Sequence, residues 1–223
     1  MTDFRGVLWD IDGTLIDSEP LHLACIRQVS ETFGYVLPRA QEERFLGYDQ
    51  TTVWLAIAGH FAGRVSEADW KEAVLAAYIA RAEREARPFL GALEAIRSLA
   101  AAGVPQACVS NSERRVVDAN VAALGIAPYL QFTISRDDVA LGKPDPQPYR
   151  MGCERLGLDP ARGIAVEDSA AGAQAATAAG LHLVRVPADG HTAPPEASRL
   201  PDFRRVMGLF GLDGASLVSP AGA

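Results

Sequence analysis

The sequence lacks the long apolar runs and basic clusters that mark several large classes of protein. No stretch approaches the roughly 18 uninterrupted apolar residues that a membrane-spanning helix requires. The formal net charge is −7, and basic residues nowhere form a block, which argues against binding of nucleic acid. We therefore expect neither a membrane nor a nucleic acid as a partner of this chain.

Cysteine is also scarce, which bears on redox chemistry and metal binding. The three cysteines, Cys25, Cys108 and Cys153, lie far apart in the chain and form no CxxC pair. This pattern argues against a zinc site and a disulfide framework, and it favours a reducing, cytoplasmic setting. No basic and apolar leader precedes Phe4, so no signal peptide is predicted. Because no feature marks an interface, a monomer is expected.

From residue 90 onward, the sequence contains a regular alternation of helical patterns with short apolar runs. Such alternation is typical of βαβ units that build a parallel sheet. A further apolar run directly precedes Asp10 and is typical of a buried strand. We predict an α/β fold, with a Rossmann-like parallel sheet that carries helices on both faces. The predicted strands are 4–9, 105–109, 132–134, 163–166 and 181–186, and the predicted helices of this part are 90–102, 113–124, 148–156, 170–179 and 202–209.

Between the first strand and residue 88, the pattern is helical throughout. Ser18 is placed to cap the first of these helices and Ser66 to cap the last. We expect an inserted α-helical bundle: residues 1–16 and 89–223 would form the α/β core domain, and residues 17–88 a helical cap domain. The two chain crossings between them would form a two-stranded hinge. The predicted helices of the insertion are 18–33, 39–45, 51–61 and 66–87.

Two carboxylates, Asp10 and Asp12, leave the end of the first strand together. The carboxyl ends of parallel strands form the edge of an open α/β sheet at which ligands bind. Two acids crowded at such an edge repel each other. They therefore indicate a bound cation, or a nucleophile beside a group that transfers protons.

The later strands are followed by groups of complementary chemistry. Ser110 and Asn111 follow one strand, Lys143 stands in a proline-stiffened loop, and Glu167 and Asp168 follow another strand. Carboxylate oxygens are ligands that suit Mg²⁺, whereas a hydroxyl, a lysine and a helix N-terminus suit a phosphoryl group. Together they indicate metal-assisted phosphoryl transfer.

These stretches resemble the four motifs of the haloacid dehalogenase-like (HAD) hydrolase superfamily, in its order and with its spacing. The similarity spans roughly residues 4–186. A helical insertion directly after the first motif is similar to the small helical cap of the branch with β-phosphoglucomutase-like and phosphoglycolate phosphatase-like enzymes. The matching stretches are Asp10-x-Asp12-Gly13-Thr14-Leu15, Ser110-Asn111-Ser112, Gly142-Lys143-Pro144-x-Pro146 and Val166-Glu167-Asp168-Ser169.

The resemblance implies a Mg²⁺-dependent phosphatase in which Asp10 is the nucleophile and forms an aspartyl-phosphate. Asp12 would protonate the leaving alcohol and then deprotonate the attacking water. The implied catalytic set is Asp10, Asp12, Ser110 and Lys143, of which Ser110 and Lys143 would bind phosphate oxygens. The implied metal ligands are Asp10, the main-chain carbonyl of Asp12, Asp168 and Glu167, the last bound directly or through water.

The same resemblance implies a small phosphorylated metabolite as the substrate, such as a sugar phosphate or a phosphoglycolate-like acid. The cap would close over the site and select that substrate. The implied substrate contacts are Gly13, Thr14, Glu19, His22, Gly47 and Asn111.

Two other functions remain open at this point. A phosphomutase of the β-phosphoglucomutase type needs cationic groups on its cap to hold a second phosphate, and Gln50 stands where that enzyme carries an arginine. A non-catalytic protein that binds a phosphorylated ligand would not need the intact set of Asp10, Asp12, Lys143 and Asp168. The dehalogenases of the superfamily lack an acid at the place of Asp12, which favours a phosphate ester as the substrate.

Overall fold

A computed structural model describes residues 3–186 and 203–212 of the 223-residue chain. Strands and helices alternate along most of it, as the sequence predicts. The strands are β1 (Gly6–Trp9), β2 (Ile16–Asp17), β3 (Arg87–Pro88), β4 (Gln106–Val109), β5 (Thr133–Ile134), β6 (Gly163–Glu167) and β7 (His182–Arg185). The helices are α1 (Glu19–Thr32), α2 (Arg39–Glu42), α3 (Gln50–Ile57), α4 (Glu67–Glu85), α5 (Ala92–Ala101), α6 (Arg114–Leu124), α7 (Gln147–Leu156), α8 (Ala170–Ala178) and α9 (Phe203–Gly208).

Five strands form one parallel sheet in the order β5-β4-β1-β6-β7, which places β1 at its centre. The residues of β1 are fully buried and alternate between the two faces of the sheet. Val7 and Trp9 belong to the apolar cluster that includes α5, α6 and α9. Leu8 belongs to the cluster on the other face, with residues of α7 and α8. The predicted α/β fold, a Rossmann-like parallel sheet with helices on both faces, is confirmed.

Residues 19–85, called the helical segment below, contain four helices and two short 3₁₀ turns. Helix α4 packs against α1 within the segment and against α6 beside the sheet. The indole of Trp70, in α4, is fully buried and donates a hydrogen bond to Ser30 in α1. The predicted helices 39–45 and 51–61 each end as a 3₁₀ turn rather than as continuous α-helix.

The chain enters and leaves the helical segment through a short ladder. Ile16 pairs with Pro88 and Asp17 with Arg87 in an antiparallel arrangement of β2 and β3. The sequence predicts a two-stranded hinge at these crossings, and the two-stranded ladder lies there, although no bounds for β2 and β3 were predicted. The predicted helix 66–87 was wrong at its end, because α4 stops at Glu85. Proline disfavours helical geometry in the residue before it, so Pro88 holds Arg87 extended.

The prediction that Ser18 caps α1 was wrong. Ser18 stands at the N-cap position, but its hydroxyl makes no capping hydrogen bond and donates to Oδ1 of Asp12 at 2.8 Å. Pro20 has no amide hydrogen, so one of the groups from which a capping side chain would accept a hydrogen bond is missing. The hydroxyl of Ser18 instead donates to the carboxylate of Asp12, and a charged acceptor makes this a strong hydrogen bond. Ser66 does cap α4, since it accepts from the backbone N–H of Asp69 at 3.1 Å.

Among the described residues, no helix has the length and apolar character needed to cross a membrane. The predicted helix 202–209 is confirmed from Phe203 onward, whereas Asp202 lies outside the described residues, as does the end of the predicted core domain beyond residue 212.

Replacement of Gln106 by leucine is expected to destabilise the fold. The fully buried side chain of Gln106 accepts from the indole of Trp9 at 2.9 Å and donates to the carbonyl of Ile96 at 3.0 Å. Gln106→Leu would leave both partners buried and unpaired, so we expect the free energy of unfolding to fall by about 2 kcal/mol or more. Chemical denaturation measures this change. Gln131→Leu, at an exposed position, is the matched control and should stay within about 0.5 kcal/mol of wild type.

Candidate active site

The site lies at the carboxyl edge of the sheet, where the chain turns sharply after β1. Asp10 directly follows Trp9, and its backbone N–H donates to the carbonyl of Val166 in the neighbouring strand. Gly13 adopts a φ of +77°, and a Cβ there would fall 2.2 Å from Oδ2 of Asp168. Only glycine lets the loop pass so close to that carboxylate, which brings the ends of β1 and β6 together.

Lys143 joins the two strand ends by an ammonium group with every donor in use. Its Nζ donates to Oδ1 of Asp10 at 2.7 Å, to Oε1 of Glu167 at 2.5 Å and to the carbonyl of Val109 at 2.8 Å. Lysine, Asp10 and Glu167 are all buried. A buried charge is tolerated when it is paired and hydrogen-bonded, and here one cation serves two carboxylates.

The remaining negative charge shifts the pKa values of the group. Burial raises the pKa of Asp10, and Glu167 and Asp168 raise it further against the pull of Lys143. Burial and the neighbouring Glu167 likewise raise the pKa of Asp168. Burial alone would lower the pKa of Lys143, but the two carboxylates outweigh it and raise that pKa. The site therefore favours an additional cation.

Glu167 is held more tightly than the other acids. Its Oε1 accepts from the phenol of Tyr149 at 2.7 Å as well as from Lys143, and its Oε2 accepts from the hydroxyl of Ser169 at 3.0 Å. A Cβ at Gly172 would overlap the carboxylate at 1.9 Å, so the first turn of α8 is shaped around it. Ser169 also caps that helix, since its hydroxyl accepts from the backbone N–H of Gly172 at 2.9 Å.

Three carboxylates fit a divalent cation at this edge. Asp10, Glu167 and Asp168 each offer an oxygen, and these oxygens lie within 4.8 Å of one another. Oxygen donors of this kind suit a hard cation such as Mg²⁺. The fit is supported by the raised pKa of Asp10 and of Asp168, because a bound cation would relieve the repulsion that causes both shifts.

Asp12 lies beside this cluster and has a separate set of partners. Its Oδ1 accepts from Ser18 at 2.8 Å and from the amide of Asn120 at 2.9 Å. Its Oδ2 accepts from Ser112 at 2.8 Å and lies 3.5 Å from the hydroxyl of Ser110. The hydroxyl of Ser110 also accepts from the backbone N–H of Ser112 at 3.0 Å, so it turns the chain at the end of β4.

Several residues predicted to contact substrate are bonded within the protein. The hydroxyl of Thr14 lies 2.8 Å from Oδ2 of Asp10 and 3.2 Å from Oδ1 of Asp168. The amide of Asn111 bonds both main-chain polar atoms of Lys143, at 2.8 and 2.9 Å. These two residues therefore hold Asp10, Asp168 and Lys143 in position.

Four of the predicted substrate contacts line a cavity of about 660 Å³ between the sheet edge and the helical segment: Glu19, His22, Gly47 and Asn111. Gly13 and Thr14 are not among its lining residues. Glu19 accepts from the backbone N–H of Gly47 at 2.6 Å, and both residues line the cavity. His22 lines it as well and stacks on Tyr78 with ring centroids 4.0 Å apart. Burial lowers the pKa of His22 despite the nearby acids Asp12 and Glu19, which favours a neutral imidazole.

Sequence reasoning missed Tyr149, Ser18 as a partner of Asp12, and Asn120. A signal for Asn120 was present, because it is a polar residue at a core position of an otherwise apolar helix face. Ser112 belongs to the matching stretch Ser110-Asn111-Ser112, but nothing in the sequence predicts its hydrogen bond to Asp12.

Comparison of the chain with known protein families and structures identifies its family. A family model described as haloacid dehalogenase-like hydrolase matches residues 4–180. The match covers most of the chain, so the protein belongs to the haloacid dehalogenase-like hydrolase family. The predicted family and enzyme class are thereby confirmed.

Named relatives and a solved structure match most of this chain. Hexitol phosphatase A of Escherichia coli is 31% identical, covering 91% of this chain and 90% of the relative. A phosphoglycolate phosphatase of Pectobacterium atrosepticum is 34% identical, covering 82% and 80%. CbbY from Rhodobacter sphaeroides, solved in complex with phosphate, is 27% identical with a TM-score of 0.73, covering 94% of this chain and 99% of that one.

Replacement of Asp168 by asparagine is expected to stabilise the protein in the absence of metal. The pKa of Asp168 is raised in the folded protein. The protonated form therefore contributes stability that is fully present below the ordinary pKa of 3.8 and is lost as pH rises through the raised pKa. Asp168→Asn avoids that loss, so the difference in unfolding temperature between this variant and the wild type should grow from acidic to neutral pH. We expect about 2–4 °C for each kcal/mol of destabilisation that the substitution removes.

Thermal unfolding of both proteins in EDTA and in Mg²⁺ measures this effect. Mg²⁺ should raise the unfolding temperature of the wild type and should raise that of Asp168→Asn much less. The exposed substitution Glu83→Gln serves as the control and should respond to Mg²⁺ as the wild type does. An equal response of Asp168→Asn and wild type would rule out Asp168 as a metal ligand.

Proposed function

We propose that this HAD-family phosphatase hydrolyses a small phosphorylated polyol or sugar through a phosphoryl group carried on Asp10, with Mg²⁺ as its cofactor. The observation that carries the proposal is the pairing of two unlike acids at one strand end. Asp10 is buried against Lys143, whereas Asp12 is only partly buried and faces the substrate-sized cavity.

In the first half of the reaction, a carboxylate oxygen of Asp10 attacks phosphorus, and the bond to the leaving alcohol breaks. Asp12, in its protonated form, gives its proton to the departing oxygen. In the second half, Asp12 takes a proton from a water molecule, which attacks the aspartyl-phosphate and releases inorganic phosphate with Asp10 restored. Lys143 limits the charge on Asp10, and the hydroxyl of Ser110 is available to a phosphate oxygen.

Asp10, Asp168 and the main-chain carbonyl of Asp12 would hold Mg²⁺, which neutralises charge on the phosphoryl oxygens when bound. For Glu167 we favour contact through water. Both of its oxygens already accept hydrogen bonds, from Lys143, Tyr149 and Ser169.

We further propose that residues 17–88 act as a cap on a core formed by residues 1–16 and 89–223. The ladder between β2 and β3 joins the two parts where the chain crosses twice, and the cavity lies between them. Closure about this ladder would exclude water while Asp10 is phosphorylated and admit it afterwards.

The charges around the cavity support a substrate whose leaving group is an uncharged polyol. Five acids line the cavity, and one of them, Glu72, pairs with Arg115. The lysine among the lining residues is Lys71, whose ammonium already bonds Thr51 and Glu67. A second phosphate or a carboxylate on the substrate would be repelled there. This disfavours a phosphomutase with a bisphosphate intermediate and, among phosphatase substrates, disfavours phosphoglycolate. The lining acids are Asp12, Glu19, Asp49, Glu72 and Glu113.

A panel of phosphate esters tests the substrate class. With Mg²⁺ present, we expect kcat/KM for hexitol phosphates and fructose 1-phosphate to exceed that for phosphoglycolate by about tenfold or more, the equivalent of roughly 1.4 kcal/mol of repulsion. Phosphate release measures each rate. A preference for phosphoglycolate would contradict the charge argument, and isomerisation of a hexose 1-phosphate dependent on a bisphosphate would favour the mutase.

Replacement of Asp10 by asparagine tests the covalent mechanism. Without a nucleophilic carboxylate, Asp10→Asn should lose at least about a thousandfold in kcat. Acid-quenched wild-type protein should carry a phosphoryl group on the peptide that contains Asp10, as detected by mass spectrometry. Turnover of Asp10→Asn at the wild-type rate would reject the mechanism, and activity that survives exhaustive EDTA would remove Mg²⁺ from it.

A further inference from the structure

A fully buried amide on α6 contacts the side chain of Asp12. Asn120 interrupts the apolar face that α6 presents to the core, and it lies outside all four sequence motifs. A buried amide is tolerated when its polar atoms have partners. Nδ2 of Asn120 donates to Oδ1 of Asp12 at 2.9 Å, and Oδ1 of Asn120 accepts from the phenol of Tyr78 at 2.6 Å.

Tyr78 determines which way round this amide lies. The tyrosine is fully buried in α4, and its ring is stacked on His22 with 12° between the ring planes. Burial raises the pKa of Tyr78, so the hydroxyl keeps the proton that it donates to Asn120. If the amide turned over, its oxygen would face the carboxylate of Asp12, and two acceptors would oppose each other. The NH₂ group of Asn120 therefore faces Asp12.

The partners of Asp12 are of two kinds. The hydroxyls of Ser18 at Oδ1 and of Ser112 and Ser110 at Oδ2 can rotate and can donate or accept, whereas the amide of Asn120 at Oδ1 can only donate. Because Tyr78 fixes that amide, Asn120 holds the carboxyl group of Asp12 in one orientation. In this orientation Asp12 lines the cavity.

We propose that Asn120, oriented by Tyr78, holds the side chain of Asp12 in the orientation from which it exchanges a proton with the leaving alcohol. This inference rests on the proposed function. The proton moves from the carboxyl group of Asp12 to the leaving oxygen as the bond between that oxygen and phosphorus breaks, and a proton from water returns to Asp12 in the second half. Asn120 is a positioning residue, because it acts through Asp12. Tyr78 belongs to the helical segment, so the position of that segment is coupled to the orientation of the acid.

Two esters of similar shape test the proposal. Phenyl phosphate releases phenol, whose pKa resembles that of tyrosine, and it needs a proton from the acid. p-Nitrophenyl phosphate releases a far weaker base, which leaves without one. For each ester, kcat/KM reports the steps up to departure of the alcohol, before the second use of Asp12.

Asn120→Leu keeps the size of the side chain and removes both hydrogen bonds. Since general acid catalysis contributes about 10²–10⁴-fold, we expect kcat/KM for phenyl phosphate to fall about tenfold or more and that for p-nitrophenyl phosphate less than about threefold, with both KM values little changed. Tyr78→Phe retains the ring and frees the amide, so it should shift the same ratio in the same direction by a smaller factor.

Tyr35→Phe is the matched control, because it removes a phenol that donates to Gln41 within the helical segment, outside the catalytic machinery. It should leave the ratio of the two esters unchanged. If kcat/KM in Asn120→Leu falls equally for both esters, or falls for neither, the ratio of the two esters is unchanged. Either result would assign Asn120 to packing and overturn the proposal.

If Asn120→Leu fails to fold, as judged by thermal unfolding, the ratio measured for Tyr78→Phe decides the question. A wild-type protein that releases phosphate with Mg²⁺ neither from these two esters nor from hexitol phosphates and fructose 1-phosphate would overturn the proposed function and this inference together. An active wild type with an unshifted ratio in the variants would overturn the inference alone.

Discussion

The ammonium of Lys143, buried between Asp10 and Glu167, is the interaction on which the rest of the site depends. One cation there partly neutralises three acids, since Asp168 stands beside the pair. The arrangement retains a net negative charge, and that excess favours a second cation at this edge of the sheet. The supporting contacts serve the same pairing: Tyr149 and Ser169 fix Glu167, and Asn111 fixes the backbone of Lys143.

Asp12 illustrates how the same strand end can hold two acids with different chemistry. Asp10 is surrounded by charges, whereas Asp12 is surrounded by hydroxyls and one amide. In the proposed mechanism, charged neighbours hold the nucleophile in place, and neutral donors let a carboxyl group exchange its proton with a ligand. The partners of Asp12 come from the loop after β4, from α6 and from the N-cap position of α1.

Much of this could be predicted from the sequence, and the rest could not for identifiable reasons. The period of the apolar residues and the polar groups after Trp9, Val109 and Val166 predicted the sheet and the acidic edge, because both are local signals. A two-stranded hinge was predicted where β2 and β3 lie, but the bounds of the two strands were not, since two residues carry no period. The bond from Ser18 to Asp12 was not predicted, because a helix cap and a bond to a carboxylate require the same residue type. The Tyr78–Asn120 contact joins residues 42 positions apart and depends on how α4 packs on α6.

The ladder of β2 and β3 has a consequence for how such a chain can change over evolutionary time. It brings the first and last residues of the helical segment side by side, so the segment leaves the core and returns at nearly the same point. An insertion whose ends are adjacent can be lengthened, shortened or exchanged with little effect on the sheet that carries it. The catalytic edge can therefore be inherited intact while new specificities arise by variation within residues 19–85.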